Sequence, residues 1–337
     1  MRPAAAILGC HGTELTAAER RFYRSVDPLG FILFARNVAD PAQLRALVAD
    51  LRESVGRADA PVLVDQEGGR VARMRPPHWP ARPAAGKLGE LHARRGPEAA
   101  CAAARLDGRL IAADVAEVGI DVLCAPVLDL RVPGAHEIVV GDRSFASDPA
   151  IVGALAGSFI DGVTAGGVIP MLKHMPGHGR AVVDSHHELP VVDAPLSVLA
   201  ESDFLPFRQH ARRRIWGITC HIVFRALDPQ RPATLSRTVI GGAIRGAIGF
   251  DGLLLTDDLS MKALGGTYTE RTRRALDAGI DVALHCNGDP EEMRGVADGL
   301  RPLSDAAMAR IARSRPAPAE PCDRAALQAE LDRLLAA

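Results

Sequence analysis

Between Lys173 and His186 the chain reads KHMPGHGRAVVDSH, which gathers a cation, the imidazoles of His174, His178 and His186, and the Asp184 carboxylate, with His187 directly following. Imidazoles beside a carboxylate can move protons near neutral pH or hold a metal ion. Pro176, Gly177 and Gly179 interrupt any regular helix or strand there, so the stretch reads as a functional loop. They also weaken a metal site built on His174 and His178, because the helix that would align residues four apart is broken between them.

Such a loop needs a frame. Apolar runs recur at Ala5–Cys10, Gly30–Ala35, Pro61–Asp65, Val122–Leu128, Pro170–His174, Gly217–Ile222, Gly252–Asp257 and Asp281–Cys286. Each is followed by a helix-like segment, the alternation of a parallel sheet, and eight such units predict an α/β fold: a single (β/α)8 TIM barrel. Helical spacing is read at Pro41–Val55, Glu98–Val118, Ala150–Ala165, Leu196–Arg213 and Thr269–Ala278. Residues 1–300 are assigned to a catalytic barrel and 301–337 to a C-terminal helical extension packed on it. Asp323 serves as the N-cap of that extension, with Leu327, Leu331 and Leu334 on one face.

Active sites of barrels form at the C-terminal ends of the strands. Those ends carry Arg36-Asn37, Asp65-Gln66-Glu67, Asp129, Lys173-His174, His221, Asp257-Asp258 and Asn287. Any one could cap a helix or satisfy a turn. Their coincidence points to a site.

Composition narrows the function classes. Of 337 residues, 47% are hydrophobic, enough for a full core, and 40 basic side chains face 41 acidic ones. No net field would hold a nucleic acid, so any charged ligand is bound locally. Cys10, Cys101, Cys124, Cys220, Cys286 and Cys322 form no CxxC pair, against a zinc ribbon or disulfide scaffold and in keeping with a reducing cytoplasm. Leu8-Gly9-Cys10 mimics a lipoprotein cleavage site, but its apolar run is short for a signal and is read as the first strand. No run is long enough for a membrane span.

DQEGGRV at Asp65–Val71, GDRSF at Gly141–Phe145, KHMPGHG at Lys173–Gly179, DSH at Asp184–His186 and TDDLSM at Thr256–Met261 together resemble glycoside hydrolase family 3. Within it the chain is similar to the single-domain bacterial β-N-acetylglucosaminidases that recycle cell-wall fragments. Met175 departs from the aromatic residue usual there, and Cys220 from a small one.

The resemblance implies a retaining glycosidase with Asp257 as nucleophile and His186 as acid/base, paired with Asp184. Two residues apart on extended backbone, Asp184 and His186 point the same way, so the carboxylate can bond one ring nitrogen and leave the other for substrate. An imidazole also avoids the like-charge repulsion a second carboxylate would suffer near Asp257. Asp65, Arg73, Arg143, Lys173 and His174 are implied as sugar-binding residues, and Asp258, Glu67, Arg70, His178 and His187 as supporting ones. The expected activity is removal of terminal β-linked GlcNAc from muropeptides containing 1,6-anhydro-N-acetylmuramic acid. It is expected in the cytoplasm, by a monomer, without cofactor or metal and without nucleic-acid or membrane partners. A metal-dependent hydrolase and a sugar-binding protein that has lost turnover are the rival readings.

Overall fold

The computed structural model describes residues 2–135, 140–185 and 187–336. Eight parallel strands close into a barrel: β1 (Ala4–Leu8), β2 (Pro28–Leu33), β3 (Val62–Val64), β4 (Val122–Leu123), β5 (Ile169–Met175), β6 (Trp216–Thr219), β7 (Leu253–Asp258) and β8 (Val282–His285). Each pairs with its sequence neighbour, and β8 closes on β1 with Ala6 opposite Ala283. All eight coincide with the apolar runs.

Side chains alternate as a barrel wall requires. Ile7, Ile32, Leu63, Val122, Met171, Ile218, Leu255 and Leu284 fill the interior. Their neighbours Leu8, Phe31, Val64, Leu123, Leu172 and Leu254 pack outward against the helices. The strand expected to run to Leu128 is regular only to Leu123: Cys124 still donates to Val64 and the Ala125 carbonyl accepts from Met171, Pro126 has no N–H to donate, and the chain touches β5 again at Val127 opposite Lys173.

The helices are α1 (Ala17–Val26), α2 (Pro41–Ser54), α3 (Ala85–Glu117), α4 (Pro149–Ala165), α5 (Leu196–Glu201), α6 (Leu205–His210), α7 (Tyr268–Ala278), α8 (Pro290–Ala297), α9 (Asp305–Ser314) and α10 (Arg324–Ala336), with a wider helical coil at Val239–Ala247. Asp40 and Asp148 cap α2 and α4 ahead of a proline, and Thr267 with Glu270 forms a capping box on α7. α3 starts earlier than its periodicity indicated and breaks at Gly96.

The segment read as one helix from Leu196 to Arg213 is two. At the break, the buried Asp203 carboxylate accepts from Arg180 Nε and the Ser202 hydroxyl, each at 2.7 Å, so the bend serves the loop that carries Arg180.

α9 closes the barrel's N-terminal end, where the Trp216 indole N–H donates to the Ser314 hydroxyl at 2.7 Å. α10 lies along α3 with Leu331 and Leu334 buried, and its Arg324 bonds Asp114 of α3. Asp114 in turn holds Arg82 in a fully buried pair at 2.7 Å. No helix among the described residues is long and apolar enough to cross a membrane.

Candidate active site

A cavity of about 260 Å³ opens at the C-terminal mouth of the barrel. Ile32, Ile218, Leu284 and Cys286 form its floor, and Asp65, Arg73, Arg143, Lys173, His174, Asp184 and Asp257 line its walls. Every sugar-binding candidate and both candidate catalytic carboxylates thus face one space. His186 lies outside the described residues, next to Ser185, which lines the same cavity.

Charge is arranged in one chain along the wall. Lys173, at the end of β5, places Nζ 2.8 Å from Asp65 and 2.6 Å from Glu67. Arg143 grips Glu67 through Nε and a terminal nitrogen at 2.9 and 2.8 Å, and Arg73 reaches Asp65 at 3.1 Å.

Burial pushes the Asp65 carboxyl up, but Lys173 and Arg73 outweigh it and hold Asp65 well below the usual carboxylate range. Glu67 is likewise raised by burial and then pulled down to about 2 by Arg143 and Lys173. Burial alone would lower the Lys173 ammonium, yet Asp65 and Glu67 raise it above the usual lysine value. All the partners therefore stay ionised, and Lys173 keeps one of its three N–H donors for a ligand.

Asp129, after β4, organises the KHMPGHG loop. Its carboxylate accepts from the His174 ring Nδ1–H at 2.6 Å and from the backbone N–H groups of His174 and His178 at 3.2 and 2.6 Å. Burial opposes that ionisation, but the His174 ring and these bonds hold Asp129 at about 2. With Nδ1 engaged, His174 turns Nε2 toward the cavity.

His178 is buried, which lowers its pKa to about 4, and its Nε2 lies 3.4 Å from the Ser185 hydroxyl. Ser185 is held on its other side by the Ala263 N–H, which donates to its carbonyl at 3.3 Å. The residue between Asp184 and His186 is therefore tethered from two directions. The Asp184 carbonyl accepts from the N–H groups of His187 and Glu188 at 3.0 and 3.1 Å, so a hydrogen-bonded turn starts at Asp184 where extended backbone was expected.

Asp257 stands at the end of β7 and its Oδ1 accepts from the Asp258 N–H at 2.9 Å. Asp258 turns its own carboxylate to the Ser260 N–H and hydroxyl and to the Cys286 N–H, which braces the strand end. Arg70, read as a structural partner, pairs with Asp142 at 2.8 Å.

Two residues of the site, Phe34 and Ser185, were not singled out from sequence, and the part played by a third, Asp129, was not foreseen. Phe34, on the wall, has the guanidinium groups of Arg36 and Arg73 each 5.1 Å from its ring centre, so it orients a sugar-binding candidate through cation–π contact. An aromatic residue ending an apolar run looks like core. Asp129 was visible as a strand-end acid, but not the three bonds it gathers. Ser185 carried no signal. Among the described residues, no group of three His, Cys, Asp or Glu side chains is placed to hold a metal ion.

Backbone contacts hold the Glu67–Arg143 side of the cavity. A side chain at Gly68, whose φ is +92°, would put its Cβ 2.1 Å from the Pro83 carbonyl oxygen, and one at Gly89 would come within 1.7 Å of the Phe145 carbonyl oxygen.

Comparison with known proteins bears on this geometry. The beta-hexosaminidase of Alkalilimnicola ehrlichii is 39% identical over 311 residues, covering 90% of this chain and 87% of that one. The crystal structure of native NagZ from Neisseria gonorrhoeae superposes with a TM-score of 0.86 at 31% identity, covering 100% of this chain and 97% of that one. The same protein in complex with N-trifluoroacetyl-D-glucosamine gives a TM-score of 0.87 at 30% identity, with the same coverage. The model of the glycosyl hydrolase family 3 N terminal domain matches residues 25–315, a span that takes in seven of the eight barrel strands and every residue of the cavity, and the chain belongs to that family.

Proposed function

We propose that this glycoside hydrolase is an exo-β-N-acetylglucosaminidase acting by double displacement, with Asp257 as nucleophile. The observation that carries the reading is the convergence of Asp257, Asp184 and the five sugar-binding candidates on one cavity at the barrel mouth. A carboxylate fixed on rigid sheet loses little freedom in attacking an anomeric carbon. Asp65, beside two cations, accepts from sugar hydroxyls, while Arg73, Arg143, Lys173 and His174 donate to others.

His186, paired with Asp184, protonates the leaving oxygen and then takes a proton from the attacking water, so one imidazole serves both half-reactions. The tether at Ser185 supports this, because it holds the residue between the two at the cavity wall.

The acetamido sugar follows from similarity to beta-hexosaminidases and to a NagZ seen with an N-acylated glucosamine. On the resemblance of its motifs to the cell-wall-recycling members of the family, the substrates we propose are small GlcNAc–1,6-anhydro-MurNAc peptides, cleaved in the cytoplasm by a monomer. Residues 1–300 form the catalytic unit in this reading, with 301–337 as its helical tail.

The test is hydrolysis of 4-nitrophenyl β-N-acetylglucosaminide. Asp257→Ala is expected to lose turnover by about 10⁴-fold or more with an unchanged unfolding midpoint. A slow-turnover fluoro-glycoside should label Asp257, as read by peptide mass spectrometry. Retained turnover in Asp257→Ala, or a label elsewhere, would remove the nucleophile assignment. His186→Ala should hurt natural disaccharides more than activated aryl glycosides; equal loss would remove the acid assignment.

A further inference from the structure

We propose that His221, which does not line the cavity, is a positioning residue for the attacking carboxylate: it holds the carbonyl of Asp258, the residue whose N–H donates to Asp257. The inference rests on the nucleophile reading and goes beyond it by naming what keeps that carboxylate aimed.

The His221 ring is fully buried, with Nε2 3.0 Å from the Asp258 carbonyl oxygen and Nδ1 2.8 Å from the Thr234 hydroxyl. A carbonyl can only accept, so Nε2 carries the hydrogen. Burial lowers the ring's pKa below the ordinary imidazole value, which leaves it neutral with Nδ1 as an acceptor. The Thr234 hydroxyl lies 2.8 Å from Nδ1 and 3.0 Å from the Cys220 carbonyl, so its single proton serves one or the other, and the Thr219 hydroxyl, 2.8 Å away, can donate to it. The Asp258 carbonyl fixes the tautomer with the hydrogen on Nε2, and Thr234, backed by Thr219, holds the other edge of the ring.

A buried imidazole that merely satisfied its own nitrogens would need no special acceptor. Here the acceptor belongs to the residue that touches the nucleophile: Asp258 donates its N–H to Asp257 Oδ1 at 2.9 Å and accepts from His221 on its carbonyl. Its carboxylate is meanwhile occupied by Ser260 and Cys286. The Met261 N–H also donates to that carbonyl, at 3.2 Å, and the next N–H, of Leu259, bonds the Leu284 carbonyl at 2.9 Å. Without His221 the shorter bond to the carbonyl is lost, and a small tilt of the Asp258 backbone is enough to shift the N–H that orients the attacking oxygen.

Two amides separate this from a general packing role. In His221→Gln the amide nitrogen reaches the place of Nε2 and keeps the donor to Asp258, whereas in His221→Asn it reaches only the place of Nδ1. With 4-nitrophenyl β-N-acetylglucosaminide, His221→Asn is expected to lose kcat by about 100-fold with KM within about threefold. His221→Gln is expected to retain about tenfold more activity than Asn.

Equal kcat losses in the two, or a KM that rises as kcat falls, would overturn the proposal. If His221→Asn does not fold, Thr234 decides: Thr234→Ser keeps the donor and stays near wild type, Thr234→Val loses about tenfold, and equal behaviour overturns it. Asp257→Ala in the same assay separates the two readings. If it still turns over, both fall; if it is silent while His221→Asn is as fast as wild type, only the positioning role falls.

Discussion

Replacing Lys173 with methionine keeps the unbranched stem of the side chain, one atom shorter, and removes the charge between two buried acids. Its side chain is 3% exposed, with Nζ within 2.8 Å of both Asp65 and Glu67. Removing one partner from a buried ion cluster costs about 3–5 kcal/mol. Glu67 keeps Arg143 and Asp65 keeps Arg73, which places this case near the lower end, about 3 kcal/mol.

For 337 residues the entropy of unfolding is about 0.7 kcal/mol/K, so the melting temperature should fall by about 4 °C. The sign of the pH dependence follows from the two kinds of group. The depressed carboxyls contribute stability above their unfolded values and lose it as pH falls through the folded ones, about 2 for Glu67. The raised Lys173 contributes fully below the ordinary 10.5 and loses its share only at higher pH.

Without Lys173 both acids regain higher pKa values. The gap between wild type and Lys173→Met should therefore be full at pH 7 and narrow as pH drops from about 5 toward 2. Urea unfolding at pH 3 and pH 7, with calorimetry, measures it. A gap of equal size at both pH values, or none at pH 7, would refute the electrostatic account. The lost sugar-directed N–H should also lower kcat/KM by about 10–100-fold.

Other outcomes follow from the same site. Phe34→Leu removes the surface on which Arg73 rests and should raise KM about twofold to fivefold with kcat little changed, since a cation–π contact is worth about 0.5–1 kcal/mol; steady-state kinetics checks it. Asp129→Asn turns an N–H₂ or a single carbonyl toward three donors and should cost about 1.5–3 kcal/mol, seen in urea unfolding. Because the Asp129 carboxyl is held at about 2, that cost should be full above the ordinary 3.8 and fade as pH falls through about 2. Limited proteolysis should then cut faster between His178 and Leu189.

The barrel was legible because each strand is an apolar run ending in a polar residue at the mouth, and the burial of β2, β3 and β5 throughout matches that reading. Where the reading slipped, a local bond prevailed over periodicity. Pro126 ended β4 early, and Asp203 bent the Leu196–Arg213 helix in order to reach Arg180. α1 escaped because, apart from Phe22 and Tyr23, it offers little apolar stripe, though Tyr23 is fully buried and donates to the Gly9 carbonyl. α9 escaped because its task is to meet Trp216, a residue far away in the chain.

The cavity's charged residues were visible as strand-end groups and family motifs. Phe34, Asp129 and Ser185 act through other side chains, and spacing along a sequence does not show which side chain will lie beside which.

The contacts at Gly68 and Gly89 bear on how this pocket can be redesigned. One side of it is main chain pressed on main chain, so mutational libraries aimed at that flank would return mostly misfolded protein, whatever the ligand sought. Room to alter what the enzyme accepts lies instead along the segment that carries Asp184, where Val182 and Leu189 already face water. Evolution of new specificity from this scaffold should therefore be lopsided, accumulating changes around the Asp184 segment while the glycine-lined side stays the same.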